Sequence, residues 1–249
     1  MAERLQKALA RAGAGSRRQI ESWIREGRIT VNGQVANIGD SIAGHERVTI
    51  DGKLVHWPAA IPVRVIAYHK PVGELCSRVD PQGRPTIFAR LPAVRAGRWV
   101  QIGRLDINTS GLLLLTTDGT LANRCMHPSS ALEREYAARV MGAVDDSVLR
   151  RLTSGVELED GLAAFTRIEA RGGPGANQWF NVVLTEGRKN EVRRLWASQG
   201  IQVSRLIRIR FGPIRLPRDL RPGHWQELGD SQIDKIIRLC RAETSRGRH

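Results

Sequence analysis

In residues 103–119, GRLDINTSGLLLLTTDG, the polar segment directly before the apolar stretch contains one acidic side chain, Asp106. An ionised carboxylate on such a frame can act as a nucleophile or as a general base. An aspartate at a strand-to-loop junction also commonly forms an Asx-turn, in which its side chain only accepts a local hydrogen bond. The residue types therefore leave both a catalytic and a purely structural Asp106 open.

The pattern of possible metal ligands does not indicate metal chemistry. The six histidines lack metal-ligand spacing, and the three cysteines (Cys76, Cys125 and Cys240) are far apart and form no CxxC pair. Hydrolysis by two metal ions requires clustered carboxylates, and Asp106 has no acidic neighbour. We therefore expect no metal and no cofactor, and we expect the protein to work in the reducing cytoplasm.

The balance of charge favours a polyanionic partner. The 249 residues include 39 Lys and Arg against 25 Asp and Glu, which gives a formal net charge of +14. Nucleic acid is the leading candidate for such a partner. Because no apolar run approaches the roughly 18 residues that a spanning helix needs, and the N-terminus lacks a signal-peptide core, we expect no membrane association.

Two short helices and two hairpins are predicted for the first segment. Ser16 and Gln19 form a capping-box pattern that opens the second helix. Asn-Gly at 32–33 and Asp-Gly at 51–52 each lie between alternating strand-like residues, a strong hairpin signal. Cationic side chains crowd the helical part, and they are either phosphate contacts or a solvated helix surface. These candidates are Lys7, Arg17, Arg18, Arg25 and Arg28.

Two prolines, Pro58 and Pro62, mark a linker, so we place a domain boundary after Trp57. The first domain is then 1–57, and the second is 58–243, where strand-like runs alternate irregularly with helical patterns as in an α+β domain. The tail, 244–249, has no apolar residue to bury and is predicted to be basic and disordered.

Residues 206–211 read as a strand with one apolar and one cationic face. Ile207, Ile209 and Phe211 alternate with Arg208 and Arg210. The two arginines are therefore either contacts to RNA phosphates or the charged protection of an edge strand.

Residues 4–7 and 27–33 carry a resemblance that extends over nearly the whole first segment. They resemble an S4 RNA-binding domain. Such modules engage structured RNA through its backbone and shape, which suits a patch of arginines with few aromatic residues between them.

The long run around Asp106 is similar to the second sequence motif of pseudouridine synthases of the RsuA and RluB type. The resemblance continues in the family's order through residues 68–73, 133–136, 186–195 and 203–212, and so covers essentially the whole chain. It implies a small N-terminal S4-like domain followed by a catalytic domain with a mixed, largely antiparallel β-sheet and flanking helices. The member with the strongest resemblance modifies 23S rRNA.

The resemblance also implies roles for individual residues. Asp106 becomes the catalytic carboxylate, Tyr136 stacks on a target base that has been flipped out of its helix, and Arg193 pairs with Asp106. A core tyrosine and an exposed surface arginine are the alternatives for the last two, and Arg194 could take the pairing instead of Arg193. Further RNA contacts are predicted at Arg104, Lys189, Arg194, Arg208 and Arg210.

The sequence thus predicts a monomeric enzyme that converts one specific uridine of 23S rRNA to pseudouridine without a cofactor. The competing hypothesis is a non-catalytic ribosome-assembly factor that uses its S4 module to bind RNA. Such a factor would have no need of Asp106, Tyr136 and the Arg193 region together, so their joint presence favours the enzyme.

Overall fold

The computed structural model describes residues 2–57, 62–94, 97–173 and 177–246, the last six of these without their side chains. The chain forms two compact units. Unit 1 comprises Met1–Val63, Pro92–Val100 and Thr117–Gly119, and unit 2 comprises Arg64–Leu91, Gln101–Thr116 and Thr120–His249. The boundary predicted after Trp57 stays a prediction, because residues 58–61 lie outside the described part of the chain.

The N-terminal part of unit 1 contains two helices and six short strands. They are β1 (Glu3–Arg4), α1 (Leu5–Ala12), α2 (Arg17–Arg25), β2 (Ile29–Val31), β3 (Gln34–Val35), β4 (Ser41–Ile42), β5 (Val48–Ile50) and β6 (Lys53–Leu54). Strands β3-β2-β5-β6 form one antiparallel sheet, and β1 pairs with β4. The helices pack on this sheet through a buried apolar cluster that includes Leu5, Leu9, Ile20, Ile24, Ile29 and Val48.

Local sequence signals explain where these elements begin and turn. The Ser16 hydroxyl accepts a hydrogen bond from the Gln19 amide at 3.1 Å, and the Gln19 side chain accepts one from the Ser16 amide, which confirms the capping box. Positive φ angles at Asn32 and Asp51, 51° and 49°, and at the glycine after each confirm the two tight hairpin turns.

Most of unit 2 is one sheet with helices. Its strands are β7 (Val65–Lys70), β8 (Val100–Ile102, which begins in unit 1), β9 (Ser110–Thr116), β10 (Arg134–Met141), β11 (Val156–Leu158), β12 (Gly161–Ala163), β13 (Arg167–Gly172), β14 (Asn177–Leu184), β15 (Gln202–Phe211), β16 (Ile214–Arg215) and β17 (Trp225–Glu227). The helices are α3 (Gly119–Met126), α4 (Asp146–Ser154), α5 (Glu191–Ala197) and α6 (Asp230–Arg246).

The large sheet has the order β13-β14-β10-β15-β9-β7-β17, with β16 beside β15 and β8 beside β9. Strand β15 runs parallel to β9 and antiparallel to β10, so the sheet is mixed and largely antiparallel, as predicted. Helix α5 covers part of it: Trp196 is fully buried, and its ring lies 5.2 Å from that of Phe180 on β14. Strands β11 and β12 form a separate hairpin.

The prediction of a disordered tail from residue 244 is wrong for its first half. Helix α6 continues to Arg246, whereas residues 247–249 lie outside the described part. Residues 241–246 contain no glycine or proline, and Gly247 is the first residue that disfavours a helix. Cys240 on this helix brings its Sγ to 2.8 Å from that of Cys125 on α3. No helix in the described residues is both long and apolar enough to cross a membrane.

Candidate active site

Asp106 lies in the loop that connects β8 to β9, and its side chain is exposed. The turn here is closed by main-chain atoms, because the Asp106 carbonyl accepts a hydrogen bond from the Thr109 amide at 3.0 Å. The carboxylate itself has no hydrogen bond or ion pair within the described residues, so the Asx-turn alternative does not hold. Both carboxylate oxygens are available to a substrate.

The backbone of this loop, in contrast, is held by the side chain of Lys70, the last residue of β7. Lys70 is fully buried, and its ammonium group donates to the carbonyls of Pro71 (3.0 Å), Asp106 (3.1 Å) and Thr109 (2.9 Å). Burial lowers the pKa of Lys70, and Coulomb attraction to Asp106 is among the influences that oppose this shift. The lysine thus fixes the turn at Asp106 and lies within electrostatic reach of its carboxylate.

Arg208 on β15 also contacts the loop. Its Nε donates to the Leu112 carbonyl at 2.7 Å and its Nη1 to the Arg104 carbonyl at 3.4 Å. The predicted exposed cationic face is wrong at this position, because Arg208 is only 2% exposed. The edge-strand alternative is also wrong, since β15 lies between β10 and β9.

A β-bulge explains why Arg208 and Arg210 do not lie on one face of β15, although the alternation in the sequence predicted that they would. Tyr136 pairs with Arg208 and Glu135 pairs with Arg210, so Ile209 is an additional residue in β15. Adjacent residues of β10 face opposite sides of the sheet, and the two arginines therefore do so as well. Arg210 forms ion pairs with Glu135 and Glu133, both at 2.7 Å, on its own side.

Strand register places Tyr136 on the same face as the groups that hold the loop. Lys70, Gly111, Arg208 and Tyr136 occupy matching positions on the neighbouring strands β7, β9, β15 and β10. Paired residues of adjacent strands project from one face of a sheet. The sheet therefore brings Tyr136, which is 9% exposed, next to Arg208 and onto the side of the Asp106 loop.

Arg193 on α5 reaches the loop too, although not through Asp106. Its two Nη atoms donate to the carbonyls of Val203 (2.6 Å) and Asn108 (3.0 Å). Arg194 instead forms a two-pronged contact with the Asp160 carboxylate at 2.7 and 2.9 Å. The expected ion pair with Asp106 is absent for both arginines in the described residues, because each guanidinium is occupied elsewhere. Arg193 is nevertheless the arginine that contacts the loop.

Glu191, the first residue of α5, is a buried carboxyl close to this region. One oxygen accepts a hydrogen bond from the Arg188 amide at 2.9 Å, and the other is buried without a hydrogen-bond partner among the described residues. Burial raises the pKa of Glu191 to about 7, and the neighbouring Glu186 contributes. Glu191 is therefore a group that titrates near neutral pH.

The predicted RNA-binding residues fall into three groups. Five are exposed and have no ion pair within the described residues, and these are Arg17, Arg18, Arg25, Arg104 and Lys189. Four have acidic partners: Lys7 with Glu3, Arg28 with Asp51 and Glu26, Arg194 with Asp160, and Arg210 with Glu133 and Glu135. Arg208 alone in this set is buried. The nine residues other than Arg208 remain predictions as RNA contacts.

Three residues that matter for the geometry received no role from the sequence: Lys70, Gly111 and Glu191. A signal existed for Lys70, since a lysine that ends an apolar strand must either reach water or find internal acceptors. Gly111 has a φ of 106°, and a Cβ there would lie 2.3 Å from the Arg208 carbonyl oxygen. No local sequence pattern predicts such a close approach between β9 and β15, because the two strands are distant in sequence.

Among the described residues, no group of three or more His, Cys, Asp or Glu side chains is arranged to hold a metal ion. The groups around Asp106 are instead main-chain carbonyls, buried cations and one aromatic ring. Such an arrangement fixes the backbone of a loop that carries an exposed carboxylate.

Comparison with known proteins identifies this arrangement. Residues 64–198, which include Asp106, Tyr136 and Arg193, match the family model of RNA pseudouridylate synthases. The chain belongs to this family. Residues 3–48 match the S4 domain, as the first segment predicted.

The pseudouridine synthase assignment agrees with individual relatives. The chain is 58% identical to ribosomal large subunit pseudouridine synthase B of Escherichia coli (strain K12) over 96% of its own length and 84% of that protein's. It is 59% identical to the protein of the same name from Haemophilus influenzae, over 95% and 68% of the two chains. A crystal structure of a pseudouridylate synthase superposes with a TM-score of 0.66 at 26% identity, covering 94% and 99% of the chains.

Proposed function

We propose that this pseudouridine synthase isomerises one specific uridine of large-subunit (23S) ribosomal RNA, with Asp106 as the catalytic carboxylate. The observation that carries the proposal is the contrast within the Asp106 loop. Its carbonyls at residues 104, 106, 108 and 109 are held by Arg208, Lys70 and Arg193. The carboxylate of Asp106 is left exposed and unpartnered in the described residues, which suits a group that must meet its substrate in a fixed place.

The RNA class follows from the relatives and from charge. The relatives that cover nearly all of this chain are named for the large ribosomal subunit. The S4 module and the net charge of +14 supply the sequence-independent attraction that a long RNA requires. We infer that Arg17, Arg18 and Arg25 contact phosphates of this RNA, since they are exposed and not engaged by acidic side chains in the described structure.

The reaction needs no external atom. The bond between N1 and the ribose C1′ breaks, the detached base turns, and a bond forms between C5 and C1′. The proton on C5 is lost and N1 takes up a proton, so atoms and electrons balance. Asp106 acts on the nucleotide either as a nucleophile or as the base that removes a sugar proton. Tyr136 offers an aromatic face to the flipped base and offsets part of the unstacking cost of a few kcal/mol.

The test is the Asp106→Asn variant, which preserves size and removes the charge. We expect release of tritium from RNA labelled at C5 of uridine to fall at least about 100-fold, the lower range for loss of a general acid or base. Affinity for the RNA and the circular dichroism spectrum should not change. Asp146→Asn, which alters an exposed carboxylate on α4, is the matched control. Activity of Asp106→Asn within tenfold of the parent would refute the assignment.

The target nucleotide requires a separate experiment. Pseudouridines are mapped across the ribosomal RNA of cells that lack this protein. One missing site in the large-subunit RNA is expected, and an unchanged map or a loss in the small subunit would contradict the proposed substrate.

A further inference from the structure

Arg208 is a buried charge without an acidic partner in the described residues. It is 2% exposed, and its hydrogen bonds go to two main-chain carbonyls, while Nη2 is buried and has no hydrogen-bond acceptor. Arg210, two residues later, is compensated by Glu133 and Glu135. Burying a cation that is not paired is costly. An apolar side chain would fill the same space at lower cost, so stability alone does not account for an arginine here.

The two carbonyls that Arg208 contacts lie on opposite sides of Asp106. Arg104 precedes it by two residues, and Leu112 follows in β9. One planar guanidinium therefore joins the entry and the exit of the loop. Because the fork of an arginine is rigid, it sets the separation of these two points as well as their direction.

The backbone of Arg208 meets the same loop. Gly111 is its register partner on β9, and a Cβ at Gly111 would lie 2.3 Å from the Arg208 carbonyl oxygen and 2.6 Å from its nitrogen. No side chain fits between the strands at this point. The loop exit is thus held by Arg208 from both its main chain and its side chain.

On its other edge, Arg208 is paired with Tyr136 of β10. Its guanidinium carbon also lies 5.3 Å from the centre of the Phe211 ring, which limits its freedom to move. Arg208 is accordingly the residue that connects the position of Tyr136 to the position of the Asp106 loop.

We propose that Arg208 is a positioning residue for the isomerisation: it sets the Asp106 loop relative to Tyr136 by joining the carbonyls of Arg104 and Leu112. The inference rests on the proposed role of Asp106. It replaces the sequence-based interpretation of Arg208 as a phosphate contact, because a buried guanidinium cannot follow an RNA backbone. Arg208 acts on the rate of the chemical step and not on the affinity for RNA.

The experiment compares Arg208→Met, which keeps much of the volume, with Arg208→Lys, which keeps the charge but not the fork. Arg205→Met is the matched control, since Arg205 lies exposed on the same strand. The parent and all three variants are assayed under multiple-turnover conditions at increasing RNA concentrations up to saturation, so that KM and kcat are determined separately. Rates are expressed per mole of RNA-binding enzyme, and folding is followed by circular dichroism.

We expect kcat to fall about 100-fold in Arg208→Met, as a displacement of about 1 Å at a reacting group can cause, with KM within about threefold of the parent. Arg208→Lys should lie between Arg208→Met and the parent, since one ammonium cannot bridge both carbonyls as a fork does. Arg205→Met should match the parent.

Three results overturn the inference. The first is a kcat of Arg208→Met equal to that of Arg205→Met. The second is a loss confined to KM, which would restore the phosphate-contact interpretation. The third is a kcat of Arg208→Lys equal to that of the parent, and this result decides the matter even if Arg208→Met does not fold.

The outcome is separate from that of the proposed function. Activity of the Asp106→Asn enzyme would refute the catalytic role of Asp106, whatever the activity of the Arg208 variants. An inactive Asp106→Asn enzyme together with a fully active Arg208→Met enzyme would leave the proposed function intact and refute the positioning role alone.

Discussion

In a Glu191→Gln variant, we expect the free energy of unfolding to rise relative to that of the parent as the pH is raised from about 5 to about 7. Glu191 is 3% exposed, and burial raises its pKa from 4.5 to about 7. Within this interval the folded chain keeps a proton that the unfolded chain has lost. Folding therefore takes up a proton, and the contribution of Glu191 to stability falls as the pH rises. Above about pH 7 the cost of ionising the buried carboxyl is fully present.

The size of the effect follows from the two pKa values, 4.5 and about 7. Each unit of pKa difference corresponds to about 1.4 kcal/mol, so the stability that the variant gains over the parent between acid and alkaline pH is at most about 3.5 kcal/mol. Glutamine cannot ionise, yet its carbonyl oxygen can still accept the hydrogen bond from the Arg188 amide. The substitution therefore removes the titration with little change in shape.

The assay is urea unfolding at several pH values from 5 to 8, followed by tryptophan fluorescence. Trp196 is a suitable reporter because it is buried on the same helix, α5. The quantity of interest is the difference between variant and parent at each pH, since other carboxyls titrate in both. Glu157→Gln, at an exposed position, is the matched control. A variant-minus-parent difference that stays constant within about 0.5 kcal/mol from pH 5 to 8 would refute this reasoning.

Two further predictions concern RNA and the chemical step. Arg17 and Arg18 changed together to Gln should weaken RNA binding and reduce the slope of log affinity against log salt by roughly 0.7 to 0.9 for each lost phosphate contact; an unchanged slope would mean that this helix face is only solvated. Arg193→Ala should slow the single-turnover rate, measured with enzyme in saturating excess over RNA, more than Arg194→Ala, because Arg193 holds the Asn108 carbonyl of the Asp106 loop whereas Arg194 pairs with Asp160. Equal losses of rate in the two variants would contradict this role of Arg193.

Much of the local structure could be predicted because its causes are local. The Asn-Gly and Asp-Gly hairpins depend on two adjacent residues that accept positive φ angles, and both form as expected. The capping box of α2 depends on Ser16 and Gln19, three residues apart. Such signals lie within a few residues of their effect.

The site contains features whose causes are distant in sequence. Alternation in β15 predicted Arg208 and Arg210 on one exposed cationic face, but the extra residue Ile209 places them on opposite faces of the sheet, and bulges have no reliable local signal. Arg193 was expected to pair with Asp106, and instead it donates to the carbonyls of Val203 and Asn108. The family resemblance supplied Asp106, Tyr136 and Arg193 as participants, whereas the contacts that Arg193 makes depend on segments distant from it in sequence.

The way in which the loop is held has an electrostatic consequence for a reaction without a cofactor. Lys70 and Arg208 are buried beneath the loop, and the hydrogen-bond acceptors of both are main-chain carbonyls. A carbonyl is a dipole and does not cancel a full charge, so the two cations contribute a positive field on this side of the sheet, which the carboxylates of Asp106 and the buried Glu74 near Lys70 offset in part. In the proposed reaction the base leaves the ribose with an additional electron pair, and a fixed positive field in a partly dry site stabilises such a charge. Carboxylate partners for these two cations would have secured the loop equally well but would have removed that field.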